Sequence, residues 1–91
     1  MTARITAKKI EQALKERLDA VEAIIQDVSS GCGTSFRCKI VSERFNNLNM
    51  LSRHRLVNNA LKEEINSLHS FSQEDYTPEE WNKLQENNVS K

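Results

Sequence analysis

The sequence predicts an α+β domain in which the chain runs helix, strand, strand, helix, strand, helix. Three observations carry that reading. Near the start, Ile10, Ala13, Leu14 and Leu18 recur at helical spacing, opposite Lys8, Glu11, Lys15 and Glu16. Two stretches of period-two alternation follow, around Ala23 and around Cys38, and the chain's only glycines, Gly31 and Gly33, lie between them. Near the end, Thr77-Pro78-Glu79-Glu80 offers an N-cap hydroxyl, a proline at the first helical position and a glutamate at the third.

Taken in order, residues 3–18 read as the first helix, with Ile5 extending its stripe by a turn. Residues 20–28 read as a strand with Val21, Ala23 and Ile25 inward and Glu22, Ile24 and Gln26 outward. Ser29 to Thr34 form a flexible connector, which suggests a hairpin with the next strand. That strand, residues 35–42, places Phe36, Cys38 and Ile40 inward and Arg37 and Lys39 outward, with Val41 an exception. Residues 43–50 are a polar crossing pinned by Phe45 and Leu48. Residues 52–65 read as the second helix, with Ser52 as N-cap, a stripe of Val57, Ala60, Leu61 and Ile65, and Leu68 just beyond. Residues 69–74 are a short third strand with Phe71 inward. The last helix carries Trp81 and Leu84, and fraying is expected after Gln85. The whole is one domain over residues 1–91, with an ordered core over about 3–85.

Composition narrows the function classes. The 91 residues are 37% apolar, enough for one small core of helices on a sheet. Thirteen basic and thirteen acidic side chains cancel, unlike the clear basic excess of a dedicated nucleic-acid binder. The charges are unevenly placed, however. Arg37, Lys39, Arg44, Arg53, Arg55 and Lys62 fall between residues 37 and 62 against Glu43 alone, so the middle of the chain is expected to offer a basic face. Two cysteines are too few for a secreted disulfide scaffold. No apolar run approaches the ~20 residues of a membrane span, and no signal-peptide core is present. The basic, amphipathic start is interrupted by Glu11 and Glu16, so the expectation is the cytosol, with or without nuclear access, and not an imported organelle protein.

No catalytic set emerges. There is no Gly-x-Ser-x-Gly, no P-loop and no Cys–His–carboxylate set, so an enzyme is not expected. Two cysteines and two histidines at this spacing match no zinc module. Cys38 shares a strand face with Phe36 and Ile40 and reads as a core residue. Cys32, between Gly31 and Gly33, is either a plain exposed thiol or a soft ligand on a bending loop. His69 alone reads as a ring closing the second helix or bonding a backbone carbonyl. His54 reads as structural, packed under the second helix and bonding the crossing segment, with Arg53 and Arg55 solvated or part of the basic face.

Several stretches together resemble one family. Ser35-Phe36-Arg37 followed by Val41-Ser42-Glu43-Arg44-Phe45 resembles the second strand of BolA-like proteins. Arg53-His54-Arg55-Leu56-Val57-Asn58 is similar to their central signature, and His69 and Thr77-Pro78-Glu79-Glu80-Trp81 resemble their ending. The likeness runs from about residue 6 to 84, and the Cys32 loop looks most like the cytosolic and nuclear eukaryotic branch.

The resemblance implies an αββαβα fold with a three-stranded mixed sheet, helices on one face and a likeness to the type II KH domain. It also implies a non-enzymatic partner of monothiol glutaredoxins, in iron–sulfur trafficking and iron regulation. A 2Fe-2S cluster is then shared between the two proteins. The glutaredoxin supplies a cysteine, glutathione a thiolate, and the BolA-like chain its histidine before the last strand, here His69, with Cys32 as second ligand. The alternative is a nucleic-acid-binding regulator using the KH-like fold. It is favoured by the basic run and opposed by neutral net charge and by the missing Gly-x-x-Gly clamp, since Gly31-Cys32-Gly33 has the wrong spacing in the wrong connector.

Overall fold

The computed structural model describes residues 5–29 and 35–89. The elements are α1 (Ala7–Leu18), β1 (Glu22–Asp27), β2 (Ser35–Val41), a 3-10 turn (Glu43–Phe45), α2 (Met50–Ala60), α3 (Lys62–Asn66), β3 (Ser70–Tyr76) and α4 (Pro78–Val89). The α+β reading holds, and β1 and β2 form the expected hairpin.

Local chemistry sets the helix boundaries. α1 begins at Ala7, later than the apolar stripe implied, because Thr6 Oγ1 accepts from the Lys9 amide at 3.2 Å. It ends on Asp19 in the left-handed region (φ 52°), which a short polar side chain tolerates. α2 begins at Met50 because Asn49, and not Ser52, is its N-cap: the Asn49 side chain accepts from the Ser52 amide at 2.9 Å. The single helix expected over 52–65 is broken at Leu61. Arg17 of α1 donates to the Ala60 carbonyl at 2.7 Å and to Glu64 at 3.0 Å. An unbroken helix would offer that carbonyl to the amide of residue 64.

The sheet order is β1-β2-β3, with β1 antiparallel and β3 parallel to β2. Register follows the alternation. Ile25 lies opposite Cys38 and Ala23 opposite Ile40, while Phe36, Cys38 and Ile40 lie beside Phe71, Gln73 and Asp75. These residues share the face that meets the helices. Ile10, Leu14, Leu18, Phe36, Cys38, Ile40, Phe45, Val57 and Leu61 close the core, with Phe71 packed against it. Val21 departs from the expectation: it precedes β1 and is 58% exposed. Val41, the exception to the alternation, is buried.

β3 runs to Tyr76, two residues beyond the expected end, because Glu74, Asp75 and Tyr76 continue the pairing with Lys39, Ile40 and Val41. The predicted start of the last helix is present atom for atom. The Glu80 amide donates to Thr77 Oγ1 at 3.1 Å and the Thr77 amide to Glu80 Oε1 at 3.0 Å. Thr77→Ala is expected to lower stability by about 1 kcal/mol in urea unfolding, with the slope unchanged.

Candidate functional site

His69 lies between the end of α3 and the first residue of β3 and is exposed. Backbone groups close the helix end beside it: the Ser67 amide donates to the Glu64 carbonyl at 3.1 Å and the Leu68 amide to the Ile65 carbonyl at 2.9 Å. Among the described residues no side-chain hydrogen bond or ion pair engages the His69 ring. It therefore serves neither of the structural roles that the sequence left open for it.

The sheet register gives His69 a neighbour. Ser70 pairs with Ser35, so His69 stands at the end of the sheet where β2 begins. The connector that carries Cys32 joins β2 at that same end. Cys32 itself lies outside the described residues. In the sequence two residues, Gly33 and Thr34, separate it from Ser35. Among the described residues no group of three His, Cys, Asp or Glu side chains is placed to hold a metal ion. The exposed His69 imidazole by itself offers one nitrogen donor.

Cys38 is fully buried, as its strand position implies. Burial, with the nearby Asp75 carboxylate, pushes its thiol up to about 12, so it is uncharged and unsuited to ligation at neutral pH.

A second constellation lies at the far end of β3, and the sequence reading misplaced Arg53 and the partner of His54 in it. Arg53 is buried, not solvated. Its Nε donates to the Leu48 carbonyl at 3.0 Å and its Nη1 to the Asp75 carbonyl at 3.0 Å. The same guanidinium forms a two-pronged pair with Glu80 at 2.8 and 3.1 Å, and it lies 6.0 Å from the centre of the Phe45 ring. One side chain thus joins the crossing segment, α2, β3 and α4. Hydrogen bonds from Arg53 and from the Thr77 amide hold the Glu80 carboxyl below its ordinary range. The missed signal was spacing: residues 53, 57 and 61 recur every fourth position, so Arg53 stands on the buried stripe of Val57 and Leu61.

His54 does not bond the crossing segment. Its Nε2 faces Asp75 Oδ2 at 3.7 Å. The Asp75 side chain has no solvent exposure, and burial pushes its carboxyl up to about 6 against the pull of His54 and Arg53. Asp75 was missed because the third strand was ended at Glu74, two residues too early.

The basic run forms no continuous face. Arg53 is withdrawn, and Arg44 pairs with Asp19 at 3.0 Å. Arg37 and Lys39 lie on the sheet face opposite the core residues of β2, whereas Arg55 and Lys62 lie on the helical side.

An αββαβα arrangement with a mixed β1-β2-β3 sheet, and a histidine on the rim where β2 and β3 begin, defines a small α+β domain. The chain belongs to the BolA-like protein family, whose model matches residues 14–80. It is 38% identical over 78 residues to Protein BOLA2 of Arabidopsis thaliana, covering 85% of this chain and 84% of that one. It is 43% identical over 79 residues to BolA-like protein 2 of Saccharomyces cerevisiae, covering 81% and 66%. The crystal structure of a bol-like protein from Babesia bovis superposes with a TM-score of 0.82 at 32% identity, covering 93% of this chain and 99% of that one. These relatives agree with the eukaryotic branch that the sequence resembles.

Proposed function

We propose that this protein is a non-enzymatic adaptor that docks on a monothiol glutaredoxin and completes a shared 2Fe-2S cluster with His69, Cys32 serving as the second donor. Iron–sulfur trafficking and iron regulation, in the cytosol with access to the nucleus, are the corresponding roles. The observation that carries the reading is the exposed His69 ring, unengaged by any described side chain, at the end of the sheet where β2 begins, three positions after Cys32 in the sequence.

The chemistry follows from the donors. An imidazole binds a metal through a nitrogen lone pair, so acid opposes ligation. Exchange of one thiolate for an imidazole lowers the negative charge around a cluster and raises its potential. The remaining ligands come from the partner, as the glutaredoxin cysteine and the glutathione thiolate. The β strands fix the end of the sheet at which His69 stands, and in the sequence a glycine flanks Cys32 on each side.

The test is to titrate the protein into a cluster-loaded monothiol glutaredoxin and follow visible absorption and circular dichroism. A saturating spectral change at one-to-one stoichiometry is expected. A flat response alongside intact cluster would overturn the reading.

A further inference from the structure

The helix-facing side of β3 ends on a buried carboxyl group with an unusual neighbour. Gln73 precedes Asp75 by two residues and shares its face. One end of the Gln73 amide lies 3.0 Å from Asp75 Oδ1 and 2.6 Å from Oδ2. The other end lies 3.1 Å from Oδ1 of Asn58, an exposed residue of α2.

A primary amide has one donor end and one acceptor end, so these two contacts are not independent. With a proton on Asp75, the carboxyl donates to Gln73 Oε1 at a separation normal for O–H···O, and Gln73 Nε2 donates to Asn58 Oδ1. With Asp75 ionised, an oxygen of Gln73 at 2.6 Å is repelled, and the amide turns to give its NH2 group to the carboxylate. Gln73 Oε1 then faces Asn58, which satisfies it by turning its own NH2 inward. The Asn58 group left outward is a donor in the first state and a carbonyl oxygen in the second.

We propose that Asp75, Gln73 and Asn58 form a proton-coupled relay, in which protonation of the buried carboxyl reverses both amides and switches the hydrogen-bonding group that α2 presents outward at Asn58. The proton comes from solvent and returns to it. The charged and titratable neighbours come from α2, β2, β3 and α4, and on α4 Lys83 lines the same cavity as Asp75. α2 contributes Arg53 and His54. Arg53 directs its hydrogen bonds to Glu80 of α4 and to the carbonyls of Leu48 and Asp75, and His54 Nε2 stands 3.7 Å from Asp75 Oδ2. From β2 the nearby titratable group is the uncharged Cys38 thiol. On β3, Glu74 lies on the opposite face, where it accepts from the Tyr76 hydroxyl at 2.6 Å. Burial, which pushes Asp75 up to about 6, brings the transition close to neutral pH.

The test is a nuclear magnetic resonance titration of the full chain from about pH 4.5 to 8. It follows the Asp75 carboxyl carbon and the side-chain amide groups of Gln73 and Asn58. Both amides are expected to move with the midpoint of Asp75, near pH 6. They should still move in His54→Gln and stay flat in Asp75→Asn. In Gln73→Met, Asp75 should continue to titrate while Asn58 stops responding. Amides that stay flat in the wild-type chain, that follow pH in Asp75→Asn, or that lose their response in His54→Gln would overturn the proposal. So would an Asp75 that titrates near its ordinary 3.8.

Discussion

Replacing Arg53 with alanine should lower stability by about 3 kcal/mol, measured as a fall in the urea midpoint at neutral pH. The figure rests on what the substitution leaves behind. The carbonyls of Leu48 and Asp75 lose a charged donor at 3.0 Å each, in a place where the side chain that served them is 10% exposed. Each such loss is worth about 1–1.5 kcal/mol. Glu80 loses its two-pronged partner, but it is 47% exposed, so water recovers much of that attraction. Arg53→Lys should recover part of the loss, since an ammonium reaches fewer of the four acceptor atoms at once. The ion-pair share of the effect depends on pH. Arg53 holds Glu80 below its ordinary 4.5, so this contribution is present above that pH and fades as pH falls through the lowered value. A loss of only a few tenths of a kcal/mol would show that Arg53 does not join the four segments.

Asp75→Asn should do the opposite and stabilise the protein at pH 7.5, by about 2 kcal/mol. Burial raises the folded-state carboxyl from 3.8 to about 6. The folded chain therefore holds the proton more tightly than the unfolded chain does. The advantage of that proton is complete below about pH 4 and is lost as pH rises through about 6. A rise of roughly two pH units corresponds to ~3 kcal/mol, of which the variant forfeits part by losing the attraction of His54. The gain of the variant should thus shrink towards zero at pH 4. Chemical unfolding of both proteins across this range measures it, and a destabilised variant at pH 7.5 would refute the account of Asp75.

The elements legible in the sequence were those fixed by local rules. The reciprocal bonds of Thr77 and Glu80 depend on residues three apart, so spacing alone announced them. Alternation through Phe36, Cys38 and Ile40 assigned the core face of β2 and the structural role of Cys38. What stayed hidden depends on distant partners or on a breach of the hydrophobic rule. The break at Leu61 involves Arg17, 43 residues away from the carbonyl it takes at Ala60. Asn49 and Ser52 are both able N-caps by residue type, so the sequence alone does not choose between them, and the structure has Asn49 accepting from the Ser52 amide. Arg53 and Asp75 are charged residues at core positions: reading charge as exposure removed Arg53 from the core, and ending the strand at Glu74 left Asp75 outside it.

The candidate ligands divide in the same way. Composition left His69 as a structural ring, and the likeness to BolA-like proteins gave it a chemical role. The structure adds an exposed ring beside the start of β2. That adds a concrete donor position to the proposal, and the residue can be tested atom by atom.

The most direct measurement uses the protein with 15N-labelled histidine, bound to cluster-loaded monothiol glutaredoxin and reduced to its paramagnetic state. Electron–nuclear resonance should show a strong 15N coupling from one imidazole, present in His54→Ala and absent in His69→Ala. A spectrum without histidine coupling, or one that survives in His69→Ala, would contradict the assignment of His69 as the ligand this chain brings to the shared cluster.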